Sequence, residues 1–226
     1  MPAELDSQRI RDLLIARTIE ELRVNGPASI RPARICLSLG LRPSAVNYHF
    51  GSREGLIRAS VVDAYKAYSA EFVEIHHRET TAKSRLLAHL QHQVDWSIAN
   101  PALVNMLNGS SLASCDLDQQ YQINVTLERN LALLGIAIQD FIDNTMSQNE
   151  SSIPDFQNRQ DVQLATAMVA HLVHGYATWL GGPLLQRAND PVIKSASDLS
   201  QSHFESLALT LIQNCVSEVQ AKATTS

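Results

Sequence analysis

The side chains of this 226-residue chain that could do chemistry are its eight histidines, its three cysteines and the nine arginines of its first sixty residues. His89 and His92 are three apart, and so are His171 and His174. On a helix, residues three apart share a face, so two such pairs could offer four imidazoles to one metal ion. No carboxylate or thiol accompanies them, and hydrogen-bonded histidines without a metal are the plainer reading, so these four are weak ligand candidates and no cofactor is expected. His76 and His77 are adjacent and point apart. Cys36, Cys115 and Cys215 are odd in number and far apart, which fits reduced thiols in a cytosol. Cys115 could sense oxidants, but it has no evident cationic neighbour to lower its pKa; Cys36 reads as buried packing. A Gly-rich phosphate loop, a Gly-x-Ser-x-Gly elbow, a Cys-x-x-Cys pair and a His-Glu-x-x-His helix are all missing from the sequence, so no enzyme is expected.

The arginines are the sharper signal. Residues 1–60 hold Arg9, Arg11, Arg17, Arg23, Arg31, Arg34, Arg42, Arg53 and Arg58, no lysine and six acids. The remainder carries nine basic and seventeen acidic residues, which accounts for the overall net charge of −5. A basic head on an acidic body therefore hides inside an acidic average. Guanidinium is the cation whose paired donors match phosphate, although a solvated arginine-rich surface would look the same from charge alone.

These residues need elements to position them, and the sequence predicts helices. Hydrophobic residues make up 45% and charged residues 18%, enough apolar material for a sizeable core and too little charge for wholesale disorder. Ile10, Leu14, Thr18 and Leu22, with Ile15 and Ile19 beside them, make one helical stripe that Gly26-Pro27 ends. Pro32 suits the first position of a short helix, PARICLSL, which stops at Gly40; Pro43 opens a second, PSAVNYHF. Two short helices joined by a tight turn containing Gly form a helix-turn-helix candidate. Ser52 can cap a long helix from Arg53 that carries Leu56, Ser60, Ala64, Tyr68, Phe72 and Ile75. Further helices are predicted over about 83–99, 102–109, 119–146 and 160–180, with some helix resuming to about 188, and a last one from Ser197 or Asp198 to about 220. Residues 147–160 read as the most loop-like segment, and no period-2 alternation long enough for a strand is found. The uncharged run from Leu164 to Gln186 contains His171, His174 and Thr166, so it reads as a buried helix rather than a membrane span. The polar, acidic start, MPAELDSQRIRD, has no apolar signal region, and a cytoplasmic protein is expected.

The segment IRPARICLSLGLRPSAVNYHFGSREGLI, residues 30–57, resembles the DNA-binding end of TetR-family transcriptional regulators. Ile35-Cys36 stands for that family's Ile-Ala pair, Gly40-Leu41 for its turn, Asn47-Tyr48-His49-Phe50 for the end of its recognition helix, and Ser52-Arg53-Glu54-Gly55-Leu56 for its Ser-Lys-Glu-x-Leu. The chain departs from the pattern at Arg17 and Cys36 (usually Ala), Arg42 (usually Ser or Thr) and Arg53 (usually Lys). The resemblance covers residues 9–60; the rest agrees only in length and helix pattern.

The resemblance implies an all-α chain: a three-helix DNA-binding head over 1–54 and a ligand-binding and dimerisation body over 55–226. A recognition helix enters the major groove N-terminal end first, so its early side chains must be short or polar; Ser44, Ala45 and Asn47 meet that, and Asn can read adenine with two hydrogen bonds. Tyr48, His49 and Arg53 fall where family members grip phosphate, Arg31 and Arg34 where the chain crosses the backbone, and Arg42 before the recognition helix. Leu39, Leu41, Val46 and Phe50 read as the small core beneath. The implied protein is a homodimer, paired through its last two long helices because a palindromic operator on double-stranded DNA needs twofold symmetry. It is a repressor released by a small-molecule effector; a metal- or redox-responsive regulator and a ligand-independent DNA binder or activator are the alternatives. Candidate pocket residues are Trp96, Met106, Tyr121, Phe141, Met168, Tyr176 and Trp179, although such residues at helical spacing are more often plain core.

Overall fold

The computed structural model describes residues 2–108, 117–145, 159–181 and 191–224. These form nine α-helices and no strand: α1 Pro2–Asn25, α2 Pro32–Ser38, α3 Ala45–Phe50, α4 Arg53–Arg78, α5 Ala82–Ala99, α6 Pro101–Asn108, α7 Leu117–Thr145, α8 Gln160–Gly181 and α9 Pro191–Thr224. The all-α class expected from the sequence is observed. The predicted loop over 147–160 lies largely outside the described residues, as do the resumed helix near 188 and Cys115.

Local chemistry sets most of the boundaries. A 3-10 turn, Pro27–Ser29, follows α1 after Gly26 at φ 69°, a backbone angle that glycine adopts without a Cβ penalty. Pro32 opens α2, where its missing N–H costs no helical bond. Gly40, at φ 67°, closes it: the Leu41 N–H donates to Cys36 O at 2.8 Å and the Gly40 N–H to Leu37 O at 3.1 Å, the paired bonds of a Schellman ending. Ser52 caps α4 as expected, its Oγ accepting from the Gly55 N–H at 3.0 Å. Thr81 caps α5, its Oγ1 accepting from the Ser84 N–H at 3.1 Å. Pro101 opens α6 and Pro191 opens α9, the latter several residues before Ser197.

The chain divides into two compact units, one of residues 1–68 with 99–126 and the other of 69–98 with 127–226. Compactness thus draws its lines inside α4, at the last residue of α5 and inside α7. In the first unit α1 packs on α2 and on α6, and α2 on α3. Leu14, Thr18 and Leu22 of the predicted stripe are fully buried; the Thr18 hydroxyl donates to Leu14 O at 2.7 Å, which removes the cost of burying it. Arg23 Nε donates to Asn100 Oδ1 at 2.6 Å, joining the end of α1 to the residue before α6. In the second unit α8 packs along α9, with Tyr176 stacked on Phe204 at 4.6 Å between ring centroids. Arg159, just before α8, chelates Asp161 at 2.8 and 2.6 Å and reaches Asp143 of α7 at 3.0 Å. That guanidinium holds the Asp161 carboxyl below its ordinary range.

Candidate nucleic-acid interface

Three buried side chains, Ile35 and Cys36 of α2 and Val46 of α3, lie beneath the helix-turn-helix, with Ile30 before them. Val46 was expected there; Leu39, Leu41 and Phe50 are only half-buried. Cys36 is fully buried, with its thiol 3.9 Å from Pro43 O, in keeping with a packing role. Arg11 of α1 lies over the Phe50 ring at 5.3 Å, a cation–π contact that the spacing of the sequence did not reveal.

The residues expected to face DNA stand largely outward. Arg31, Arg34, Arg42, Ser44, Asn47 and Tyr48 are exposed; Ala45, His49 and Arg53 are half-buried. Tyr48 is 80% exposed and meets the His49 ring edge-on at 4.9 Å. A large aromatic ring left this open on a short helix is not serving the core. Leu37 of α2 is as open, at 79%. The helix itself begins at Ala45, two residues later than Pro43, because residues 42–45 form a separate turn in which the Ala45 N–H donates to Arg42 O at 3.0 Å. Ser44 precedes the helix without a side-chain capping bond, so its hydroxyl is not tied down there.

Three of these arginines are held by the protein itself: Arg31 donates through Nη1 to Ala28 O at 2.8 Å and to Ile30 O at 3.2 Å, and Arg34 and Arg53 reach further along the chain. Arg34 is paired with Glu21, a buried α1 carboxylate that also accepts from Asn25 Nδ2 at 3.1 Å and lies 3.8 Å from Arg17. Arg53 donates through Nε to Ile30 O at 2.9 Å, through Nη2 to Pro27 O at 2.5 Å and through Nη1 to Glu54 at 3.0 Å. It thereby fastens the first residue of α4 to the loop before α2. Gly55 completes the joint: a Cβ there would come 2.1 Å from the Phe50 carbonyl oxygen, far inside van der Waals contact. Glu21 and Gly55 were missed by sequence reasoning; the Arg17–Glu21 spacing was visible, but the tie to Arg34 joins different helices.

The pocket candidates fall in both units. Met106 on α6 and Tyr121 on α7 belong to the first unit, Tyr121 at 70% exposure. Trp96, Phe141, Met168 and Tyr176 belong to the second: Phe141 is buried, Trp96 and Tyr176 are half-buried and Met168 is exposed. The Trp179 side chain lies outside the described residues. The histidine pairs part ways. His89 is fully buried against Phe72, with ring centroids 4.3 Å apart, and His92 is half-buried at 5.9 Å from the same ring. His171 and His174 are on α8, His171 exposed with its Nδ1 2.6 Å from Ala167 O, and His174 exposed as well. Among the described residues no three His, Cys, Asp or Glu side chains come together as a metal site, so the four imidazoles do not converge. No described helix is long and apolar enough to cross a membrane.

Helices, turn and outward polar face define an all-helical protein with an N-terminal helix-turn-helix. No family sequence model and no curated protein sequence matches the chain. Solved structures do. A regulatory protein of the tetR family from Rhodococcus RHA1 is 18% identical, over 90% of this chain and 96% of that one, with a TM-score of 0.60. The transcriptional regulator PfmR from Thermus thermophilus, of the TetR family, is 14% identical over 87% and 97%, at 0.58. The regulator FadR from Bacillus subtilis, in complex with stearoyl-CoA, is 15% identical over 91% and 97%, at 0.55. At these identities the likeness is one of fold, and the chain has the TetR-family regulator fold.

Proposed function

We propose that this protein is a DNA-binding transcriptional regulator of the cytoplasm. It acts as a repressor, binds a palindromic operator as a homodimer and is released by a small-molecule effector. The observation that carries the reading is the outward face of α2 and α3, where Arg31, Arg34, Arg42, Ser44, Asn47 and Tyr48 stand exposed over buried Ile35, Cys36 and Val46. Asn47 reads a base edge, with Ser44 and Ala45 giving the helix close approach. Arg31, Arg34, Arg42, Tyr48 and His49 position the head on phosphates, and Arg53 does so with the N–H groups left over from its internal bonds.

Pairing of two copies through α8 and α9 would present two recognition helices to successive major grooves, about 34 Å apart. Met168 on α8 and Leu207 on α9 are exposed apolar side chains in the region assigned to that pairing. Release follows from linkage: an effector that prefers a body conformation in which the two heads no longer match this spacing lowers DNA affinity by its own preference. The test is a binding-site selection from genomic DNA with purified protein, repeated with fractions of a metabolite mixture. A short palindrome that vanishes with one fraction is expected. Failure to enrich any sequence overturns the DNA-binding reading, and a palindrome indifferent to every fraction overturns the effector.

A further inference from the structure

The second unit buries polar nitrogen atoms that the chain leaves unpartnered. His89 of α5 has no exposed surface, and neither Nδ1 nor Nε2 has a hydrogen-bond partner. Asn130 of α7 is 6% exposed; its Oδ1 accepts from the Ser69 hydroxyl at 2.7 Å, and its Nδ2 has no partner. The two residues meet the same face of α4. Asn130 bonds Ser69, and His89 packs on Phe72, one helical turn further along. His76, the next turn of that face, places its ring 5.9 Å from that of His89 and leaves Nδ1 buried and unpartnered.

More than nine in ten buried polar groups in folded proteins are hydrogen-bonded, and each orphan carries the full, uncompensated cost of leaving water. Two orphan side chains from different helices, packed against adjoining turns of α4, are a device, not noise. The surplus is of donors. The Asn130 amide brings two N–H groups and a neutral imidazole one more, while the nearby carboxylate, Asp140, is already taken by Arg85 at 2.5 Å. Around them the same helices bury Leu86, one turn before His89, and Leu134 and Ile138, one and two turns after Asn130. A complementary molecule therefore offers an oxygen acceptor at one end and an apolar body behind it.

We propose that the interior of α4, α5 and α7 in the second unit binds a small molecule through an oxygen acceptor, carbonyl or carboxylate, with His89 and Asn130 as its donors. This deepens the effector reading above and rests on it, yet its test needs no DNA, so the two fail separately. The two sources of such an oxygen differ in proton count. A carbonyl leaves His89 neutral; a carboxylate favours the imidazolium, so binding takes up a proton onto His89.

The full chain, labelled with ¹⁵N, is titrated with acetone and separately with acetate, and the imidazole and side-chain amide resonances are followed. One or both probes should shift His89 and Asn130 saturably, acetate with the ¹⁵N signature of a protonated ring and acetone without it. His89→Phe, which keeps an aromatic body and removes both nitrogens, should weaken the probe's binding about tenfold or more while raising Tm, since it deletes an unsatisfied buried group. Asn130→Leu should weaken it by a similar factor, and it serves as the second variant if the first does not fold. His89 and Asn130 signals that ignore both probes up to molar concentration overturn the proposal, as does a probe whose binding survives both substitutions. A metabolite fraction that strips the protein from its operator while these signals stay still would keep the regulator and remove this site. A bound probe with no effect on the operator would keep this site and remove its link to DNA release.

Discussion

Glu21 and His89 are both buried polar side chains, and they are treated in opposite ways. Glu21, in the head, is held by Arg34, Asn25 and Arg17. His89, in the second unit, has no partner on either nitrogen. In the head, Thr18 and Arg53 likewise find carbonyl acceptors nearby. A region whose polar groups are all answered has one arrangement and little to gain from a visitor. A region that leaves donors open carries a desolvation cost that a visitor can relieve. The head is built as a fixed stamp, and the interior around His89 as a receptor.

That contrast can be broken most severely by acid. Burial, helped by His76, His92 and Arg85, pushes His89 from its ordinary value near 6.5 down to about 3. Below pH about 6.5 the unfolded chain takes up a proton that the folded chain refuses. Stability therefore falls with pH by about 1.4 kcal/mol per unit, between about 6.5 and about 3. Urea unfolding at stepped pH should show that slope in the wild type and a much shallower one in His89→Phe. Equal slopes would place the acid-sensitive group elsewhere. His76, also lowered by burial, supplies a smaller residue of the effect.

The head is broken by crowding instead. Gly55→Ala puts a Cβ against the Phe50 carbonyl, where relief requires α4 and α3 to part. A loss of about 1–3 kcal/mol is expected in chemical denaturation, typical of an overpacked position. An unchanged midpoint would show that the joint is softer than its geometry. Asn47→Ala sharpens the functional side of the comparison: it should relax preference at one base of each half-site by about 1–3 kcal/mol and leave stability alone. A selected site identical to the wild type's would take Asn47 off the base edge. The smallest effect concerns Arg53. Arg53→Ala should weaken binding to all sequences alike and lower the salt slope by about one, whereas Arg53→Lys should keep the slope and lose the carbonyl bonds to residues 27 and 30. A slope unmoved by Ala would make Arg53 a brace only.

Where a feature depends on neighbours in sequence, it was legible. Pro32, Gly40 and Ser52 announced the limits of α2 and the start of α4 because cap chemistry acts within three or four residues. The start of α9 was read late, at Ser197 or Asp198, because a serine-rich stretch looks like a cap, whereas the helix opens at Pro191. The turn at Pro27–Ser29 was hidden, since three residues give no periodicity to read. The candidate interface was legible as a set of residue types, and its outward members could be named. Its internal wiring could not: Arg34 meets Glu21 thirteen residues away, and Arg53 meets Pro27 twenty-six away. The two histidine pairs have identical spacing, yet one has a buried member and the other is exposed, because spacing fixes a face and only packing decides what that face meets.

The pairing of Arg17, Arg34 and Arg53 with carboxylates has a kinetic consequence. In the proposed DNA-binding role, each such guanidinium would arrive with part of its charge already answered, so the head would displace fewer counterions than its eight arginines suggest. Attraction to arbitrary sequence would then be correspondingly weak. On a genome crowded with decoys, a regulator of the proposed kind would spend little of its time parked on the wrong site, and a modest number of copies would suffice to keep the right one occupied.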